Sequence, residues 1–451
     1  MLVGSERGQQ LSFFGEDLLS QLDERDPLLV LSKAIPWQDF DAAFRSHYSQ
    51  GTGRPSKPIR LMVGLLLLKQ LENLSDENVV LQWKRNPYYQ AFCGMKNFQN
   101  QLPCHATELV HFRKRIGQSG VEKLFEMSVH LHGASIDEST VNVDSTVQEK
   151  AITYPTDGKL AIKIINRLCK LAKHHGIKQR RTFAKEVKEQ RLRLRFFRHV
   201  KKRSSAKKAV KRLRTIAGIL MRELQRKLPE EALSHYQKDL ELYDKVLQQK
   251  KNDSDKIYSL HEPQIYCIAK GKDHKPYEYG TKASIVSTAK SGIILSVESH
   301  RKNIHDSRAL EEVLSKASRL RRKPITQAVC DRGYRGVKVV NEIEVVLPKK
   351  ALKKDTRYQR DKKRQQCRRR AAIEPLIGHL KSDFRLSRNY LKGHLGDEIN
   401  LLMAACAWNL KKWMRSALAR FLGPMKIHVS SIIIALKPVF SITRLICRPF
   451  R

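Results

Sequence analysis

Apolar positions along the first third of the chain follow a helical period, and near residue 140 they change to the period of a strand. Residues 11 to 133 read as helical throughout. Pro55 and Pro58 lead into an apolar run at 59 to 74, too short to cross a bilayer and apolar enough for a buried helix. Ser75, followed by Asp76 and Glu77, marks the start of a second helix that carries Val79, Val80 and Trp83 and stops before Asn86-Pro87. A third is expected from about 107 to 116, ended by Gly117 and displaying Arg113, Lys114 and Arg115. One basic helix among short ones fits equally a helix-turn-helix entering a DNA groove and a bundle with a solvated basic face. Residues 53 to 58 (GRPSKP) resemble a minor-groove arm, though a stiff lead-in to a helix is the commoner use of such a stretch.

Beyond Ser139, Val141, Val143, Ser145 and Val147 alternate with Asn142, Asp144 and Thr146, which predicts a strand and a new domain. No proline occurs between Thr156 and Leu228, and Val210, Leu213, Ala217, Leu220 and Leu224 recur at helical spacing. After Pro229, Leu233, Tyr236, Leu240, Tyr243 and Leu247 repeat the pattern, predicting an antiparallel hairpin of two long helices. Strand patterns return at 282 to 288 and 293 to 299, with a turn at Ser291-Gly292, and a helix follows at about 306 to 320. Then come a strand at 325 to 331, a short helix after Gly333, a strand at 344 to 347, and helices at about 374 to 384 and 397 to 414. That order predicts an α/β fold with a mixed sheet and a basic helical insertion after its first strand. The expected units are a helical N-terminal domain at 1–134, an α/β domain at 135–417 holding the insertion at about 159–255, and an unplaced tail at 418–451.

Composition narrows the function. With 41% apolar residues and ordinary Gly and Pro, the chain of 451 residues is neither wholly disordered nor collagen-like. Its 87 Lys and Arg outweigh 45 Asp and Glu, a net of +42, which calls for a polyanion: nucleic acid first, an anionic membrane surface second. Residues 161 to 250 alone carry 27 basic against 8 acidic side chains, and 349 to 370 carry twelve basic ones against Asp355 and Asp361. Lys437, Pro438 and Arg444 interrupt the apolar stretch at 429 to 447, so no spanning helix is expected there. Glu6, Glu16 and Asp17 near the N-terminus argue against a signal peptide. Eight scattered cysteines without a C-x-x-C pair fit a reduced cytosol, and Cys104-His105 and His174-His175 lack partners at zinc-ligand spacing.

Three acids invite chemistry. Asp144 sits in a β-branched strand, where desolvating a charge costs several kcal/mol unless something compensates. Asp331 ends the apolar segment ITQAVCD before an RGYRG turn, where open α/β sheets place ligands. Glu374 lies near a helix start in RRRAAIEPLIGHLK. Brought together, the three would repel one another unless divalent cations neutralise them, and Mg2+, with Mn2+ as substitute, suits carboxylates shared with phosphate oxygens. A pair of such ions would serve an in-line phosphodiester displacement. Singly, each acid also reads as structural: a hydrogen-bonded carboxylate, a turn former, and a helix-start acid favoured by the dipole. Arg370, Glu374 and Lys381 would share one stripe of a continuous helix. Pro375 allows that only with a kink; otherwise the helix starts near Glu374 and Arg370 belongs to the preceding turn.

With these residues in place, the sequence resembles bacterial insertion-sequence transposases of the DDE class, in the group with a Y-x2-R-x3-E-x6-K motif. The stretches that carry the likeness are GRPSKPIRLMVGLLLLKQLENLSDENVV, NPYYQAFCG, VNVDSTVQEKAITYPTDGKL at 141 to 160, AVCDRGYRG at 328 to 336, RRRAAIEPLIGHLKSDFRLSRNYLKG at 368 to 393 and GDEINLLMAACAWNLKKWM at 396 to 414. The resemblance implies a ribonuclease-H-like core with Asp144, Asp331 and Glu374 as catalytic metal ligands, and Arg370 and Lys381 contacting DNA beside them. It implies hydrolysis at the element's ends, then attack of the freed 3′-hydroxyl on target DNA. Double-stranded DNA is the expected partner, the terminal inverted repeats being bound by the N-terminal helices with Arg113, Lys114 and Arg115. A homodimer in the DNA complex, no membrane, and a cytoplasmic, nucleoid-associated location complete the expectation. Cys367 stands where the motif has Tyr, so that ring's contact is lost or supplied by a neighbour such as Tyr358. The rivals are a catalytically decayed DNA-binding protein on this scaffold and a metal-dependent nuclease that cuts without joining.

Overall fold

Helices begin where the sequence supplies a cap. In the computed structural model, which describes residues 17–49, 55–250, 252–270, 273 and 275–442, Asp26 accepts a hydrogen bond from the Leu28 amide at the start of α1 (Pro27–Ala34). There follow α2 (Trp37–Arg45) and α3 (Ile59–Leu71), which is buried around nearly its whole circumference as its unbroken apolar run requires. Ser75 caps α4 (Asp76–Arg85) through the Asn78 amide, and Asn86 opens α5 (Pro87–Phe92). Gly117, at φ 62° and ψ −161°, is non-helical and interrupts α6 (Ala106–His130), so the first segment stops where the sequence places its end and a second helical segment follows directly. Pro55 to Pro58 lead into α3, while residues 53 and 54 of the proposed arm lie outside the described residues.

Arg113 requires a correction. It is 5% exposed and forks onto Asp76 at 2.8 and 2.6 Å, while Lys69 reaches the same carboxylate at 2.8 Å. Its place on α6 turns it inward, onto the acid in the first turn of α4, so it ties two helices together and is not displayed to a ligand. Lys114 and Arg115 are exposed, and the Arg115 guanidinium lies 4.4 Å from the centre of the Tyr48 ring.

Among the described residues seven strands form one mixed sheet: β1 (Thr140–Glu149), β2 (Tyr266–Ala269), β3 (Tyr277–Thr288), β4 (Ile294–His300), β5 (Gln327–Val329), β6 (Val339–Val340) and β7 (Ile343–Val346). Their order is β2-β3-β1-β5-β7-β6, with β4 also paired to β3. β1 runs antiparallel to β3, from Val141↔Thr288 to Glu149↔Gly280, and parallel to β5 at Asn142↔Val329. The alternation in β1 predicts one wet face, yet both faces are covered. Asn142, Thr146 and Gln148 are buried, and their polarity is met from elsewhere: Asn142 donates to the Arg369 carbonyl and Gln148 to that of Asp397. Gly280 is glycine because a Cβ there would collide with the Gln148 carbonyl oxygen.

Between β1 and β2 lie α7 (Asp157–His174), α8 (Ala184–Arg193), α9 (Arg203–Lys227) and α10 (Glu230–Gln248). The expected hairpin is therefore a four-helix insertion in which α9 packs chiefly on α7, with its own core of Leu160, Ile164, Leu168, Leu213, Leu220 and neighbours. Absence of proline misled here: Gly176, at φ 65°, lies just past the end of α7, and Phe183 holds a left-handed conformation before α8. By contrast, one continuous core joins α3 and α6 to the sheet and to the last helix. After β4 come α11 (Asp306–Arg319), α12 (Arg357–Ala371), α13 (Ile373–Ser382) and α14 (Gly393–Ile442). Helix continues through α14 well past residue 418, into the segment read as an unplaced tail; 443 to 451 lie outside the described residues. Among the described residues, no helix is long and apolar enough to cross a membrane.

Candidate active site

Parallel pairing of β1 and β5 brings two of the acids to neighbouring positions. Asp144 lies two residues past Asn142, and Asp331 two past Val329, the partner of Asn142. The Asp144 side chain is 14% exposed, and its Oδ1 accepts from the Ser145 amide at 2.7 Å. Burial pushes its carboxyl up to about 6, and the charges of Asp331 and Asp306 add to the rise, against the Ser145 hydrogen bond and Arg370. Asp331 caps the short turn Arg332–Tyr334, accepting from the Gly333 amide at 2.7 Å, so its turn-forming role is present alongside any other.

Glu374 is the second residue of α13, with its side chain 59% exposed. Helix breaks between α12 and α13, at Ala372, and Pro375 falls in the first turn of α13, where its missing N–H costs nothing. Arg370, in the last turn of α12, bridges the gap: its Nη2 lies 3.2 Å from Glu374 Oε1 and 3.8 Å from Asp144 Oδ2. Lys381 sits at the far end of α13, half-buried. Burial pulls its ammonium below the usual lysine range, with Glu278 and Glu149 opposing that fall and Lys270 and Lys275 adding to it. It thus looks toward the β3 end of the sheet. Cys367 points its thiol at the Lys349 carbonyl, 3.7 Å away, and Tyr358 is 75% exposed on α12, so in this structure neither supplies a ring packed into the site.

The donors fit a hard divalent cation in kind, being carboxylate oxygens, one of them buried against like charge. Among the described residues, however, no three His, Cys, Asp or Glu side chains are gathered closely enough to enclose one ion. Here Arg370 supplies the positive charge between Asp144 and Glu374. Sequence reasoning missed Asp306, the first residue of α11, whose charge also acts on Asp144. The available signal was its position at the entrance of the helix that crosses from β4 to β5.

Around these acids lies cation. α12 carries eight Arg and Lys against one Asp and buries none of its residues. An acid within β1 and a second just past the end of its parallel neighbour β5, in a protein of net charge +42, fit an enzyme acting on nucleic-acid phosphodiesters.

Comparison with known proteins makes this specific. Residues 16–115 match the family described as "Transposase domain (DUF772)", and residues 247–410 match "Transposase DDE domain". An uncharacterised protein, ORF8 in the nfe locus of Rhizobium meliloti, is 42% identical over 193 residues, which is 42% of this chain and 93% of that protein. No solved structure matches. The chain belongs to the insertion-sequence DDE transposases, which cleave DNA at the ends of a mobile element and transfer the strand to a target with divalent metal ions. The DDE match takes in Asp306, Asp331 and Glu374. Asp144 lies ahead of it, separated by the four-helix insertion.

Proposed function

We infer that Asp144, Asp331 and Glu374 are the metal ligands of this transposase, on a ribonuclease-H-like core. The observation that carries the reading is the placement of Asp144 on β1 and of Asp331 just past the end of its parallel neighbour β5, with Glu374 tied to Asp144 through one guanidinium. The sheet order supports the core: an antiparallel β4-β3-β1 meander followed by parallel β5 and β7. A divalent ion, Mg2+ with Mn2+ as substitute, would supply Lewis-acid activation of the attacking oxygen and stabilise the leaving one. In the first step, water oxygen bonds to the scissile phosphorus at the element's end, and the 3′-oxygen leaves and takes up a proton. In the second, that 3′-hydroxyl attacks a target phosphorus, and the displaced target 3′-oxygen takes the proton. Bond number is conserved, so no covalent protein intermediate is required.

Arg370 would hold the acid pair together until the ions enter, then turn its guanidinium to a DNA phosphate; Lys381 would act further along the same strand of DNA. The exposed Lys114 and Arg115, with the N-terminal helices, would engage the terminal inverted repeats, and α12 with the +19 insertion would grip the backbone. Two ends must be joined, so the working complex would be a homodimer. The domain reading is an N-terminal DNA-binding unit at 1–134 and a catalytic unit at 135–417. The test is incubation of the purified protein with DNA bearing the element's ends and Mg2+ or Mn2+. Nicked and joined products are expected, and Asp331→Asn should bind the same DNA without making either. Cleavage by Asp331→Asn at the wild-type rate would refute the ligand assignment.

A further inference from the structure

We propose that Gln70 and Asn73, where α3 gives way to α4, are positioning residues for the reaction: they hold the C-terminal end of α13 and so set where Glu374 stands. The inference rests on the reading of Glu374 as a metal ligand. α13 ends at Ser382, and the carbonyls of its last turn need partners beyond the helix. Some are met within the segment, Leu380 by the Leu386 amide at 3.0 Å and Lys381 by the Ser387 amide at 3.3 Å. The Ser382 carbonyl instead accepts from the Asn73 side-chain amide at 3.1 Å, and the Phe384 carbonyl, just past the helix, from that of Gln70 at 2.6 Å. In return, the Arg385 guanidinium donates to the Asn73 carbonyl at 3.0 Å. These three bonds join residues 309 to 314 positions apart in the chain.

Gln70 is the one polar side chain among the buried residues of α3, where an apolar residue would pack as well, so its amide is there for the bond it makes. Asn73 takes the left-handed conformation, φ 54°, that ends α3, and the Leu74 amide reaches back to the Lys69 carbonyl at 2.8 Å. Lys69 and Arg113, both on Asp76, fix this turn from behind. On its other side, the segment after α13 is tied to the strand of Asp144: Asn400 donates to the Arg385 carbonyl at 3.3 Å and to Gln148 of β1 at 2.6 Å. At its start, α13 meets α12 across the break at Ala372, and α12 has no buried residue to anchor it. Apart from the packing of Ile373, Leu376 and Leu380, the firm attachment of α13 is therefore at its C-terminus. Glu374 stands about 12 Å along the helix from Ser382, so a tilt of about 10° about that end would move it by about 2 Å. A misplacement of about 1 Å at a reacting centre can cost about a hundred-fold in rate.

The test is single-turnover cleavage of a duplex bearing the element's end by the full chain, with DNA and Mg2+ titrated separately. Gln70→Met keeps the length of the side chain and drops its amide, and Asn73→Gly keeps the left-handed turn and drops the donor to Ser382. Each should lower the maximal rate about ten-fold or more and raise the Mg2+ concentration that gives half of it, while the half-saturating DNA concentration stays unchanged. Glu72→Gln, exposed on the same turn, should cleave as wild type. Wild-type rate and Mg2+ dependence in both variants, with cleavage lost in Glu374→Gln, would overturn the role of Gln70 and Asn73 and leave the ligand assignment standing. A lower thermal midpoint with an unchanged rate below it would do the same, since a merely structural contact behaves that way. Wild-type cleavage by Glu374→Gln would overturn the assignment and this inference with it. If Gln70→Met does not fold, Asn73→Gly decides: a wild-type rate there refutes the clamp.

Discussion

Asp144→Asn in the ion-free protein separates a metal ligand from a structural acid. The native carboxyl titrates near 6, against 3.8 for the unperturbed group, so between those values the folded state binds more protons than the unfolded one. Stability therefore falls as pH rises through this window, and the whole penalty is in force above about pH 6. A difference of about 2 units corresponds to about 3 kcal/mol. Asparagine keeps the shape and removes the charge. Urea unfolding in EDTA should show Asp144→Asn more stable than wild type by up to about 3 kcal/mol at pH 8, with the gain vanishing at pH 4. Saturating Mg2+ should reverse the order at pH 8, because only the wild type gains from binding the ion. If Asp144→Asn is instead less stable than wild type at pH 8 without metal, then Ser145 and Arg370 satisfy the carboxylate by themselves and the reasoning fails.

Removing Asp76 leaves Lys69 and Arg113 buried without their anion, so Asp76→Ala should cost about 3–5 kcal/mol in urea unfolding. Arg113→Ala should likewise lower stability, whereas Lys114→Ala and Arg115→Ala should leave it intact and weaken DNA binding in a gel-shift assay. On α12, Arg368→Gln and Arg369→Gln should each reduce the slope of log K against log salt for DNA binding by about 0.9 if each side chain meets one phosphate. Gly280→Ala should disrupt the β1–β3 pairing, seen as loss of amide protection around Val147 to Glu149 in hydrogen exchange, since its methyl would strike a backbone carbonyl.

Local signals in the sequence located most elements. Ser75 and its acidic first turn mark α4, the apolar run marks α3, and the order of strands and helices gives the mixed sheet. Short edge pieces escaped notice: β6 has two residues and β2 four, too few for any period to show. The absence of proline from the insertion predicts two long helices, but Gly176 stops a helix as well as proline does, with a positive φ. At the site, Asp144, Asp331 and Glu374 were legible singly, from a charge in a strand, an acid before a turn and an acid at a helix start. Their spatial relation was not, since it depends on β1 pairing with a strand nearly two hundred residues away. Arg113 shows the reverse error: a basic triplet on a helix reads as exposed, yet one member faces the acid of a neighbouring helix. Asp306 was hidden because an aspartate at the first position of a helix has an ordinary explanation in the dipole.

The most direct test of the account pairs DNA binding with chemistry in one variant. Glu374→Gln, mixed with end-bearing DNA and Mn2+, should bind that DNA with wild-type affinity and release no 3′-hydroxyl strand, while the unaltered protein both releases it and joins it to target. Normal cleavage and joining by Glu374→Gln would contradict the three-carboxylate site.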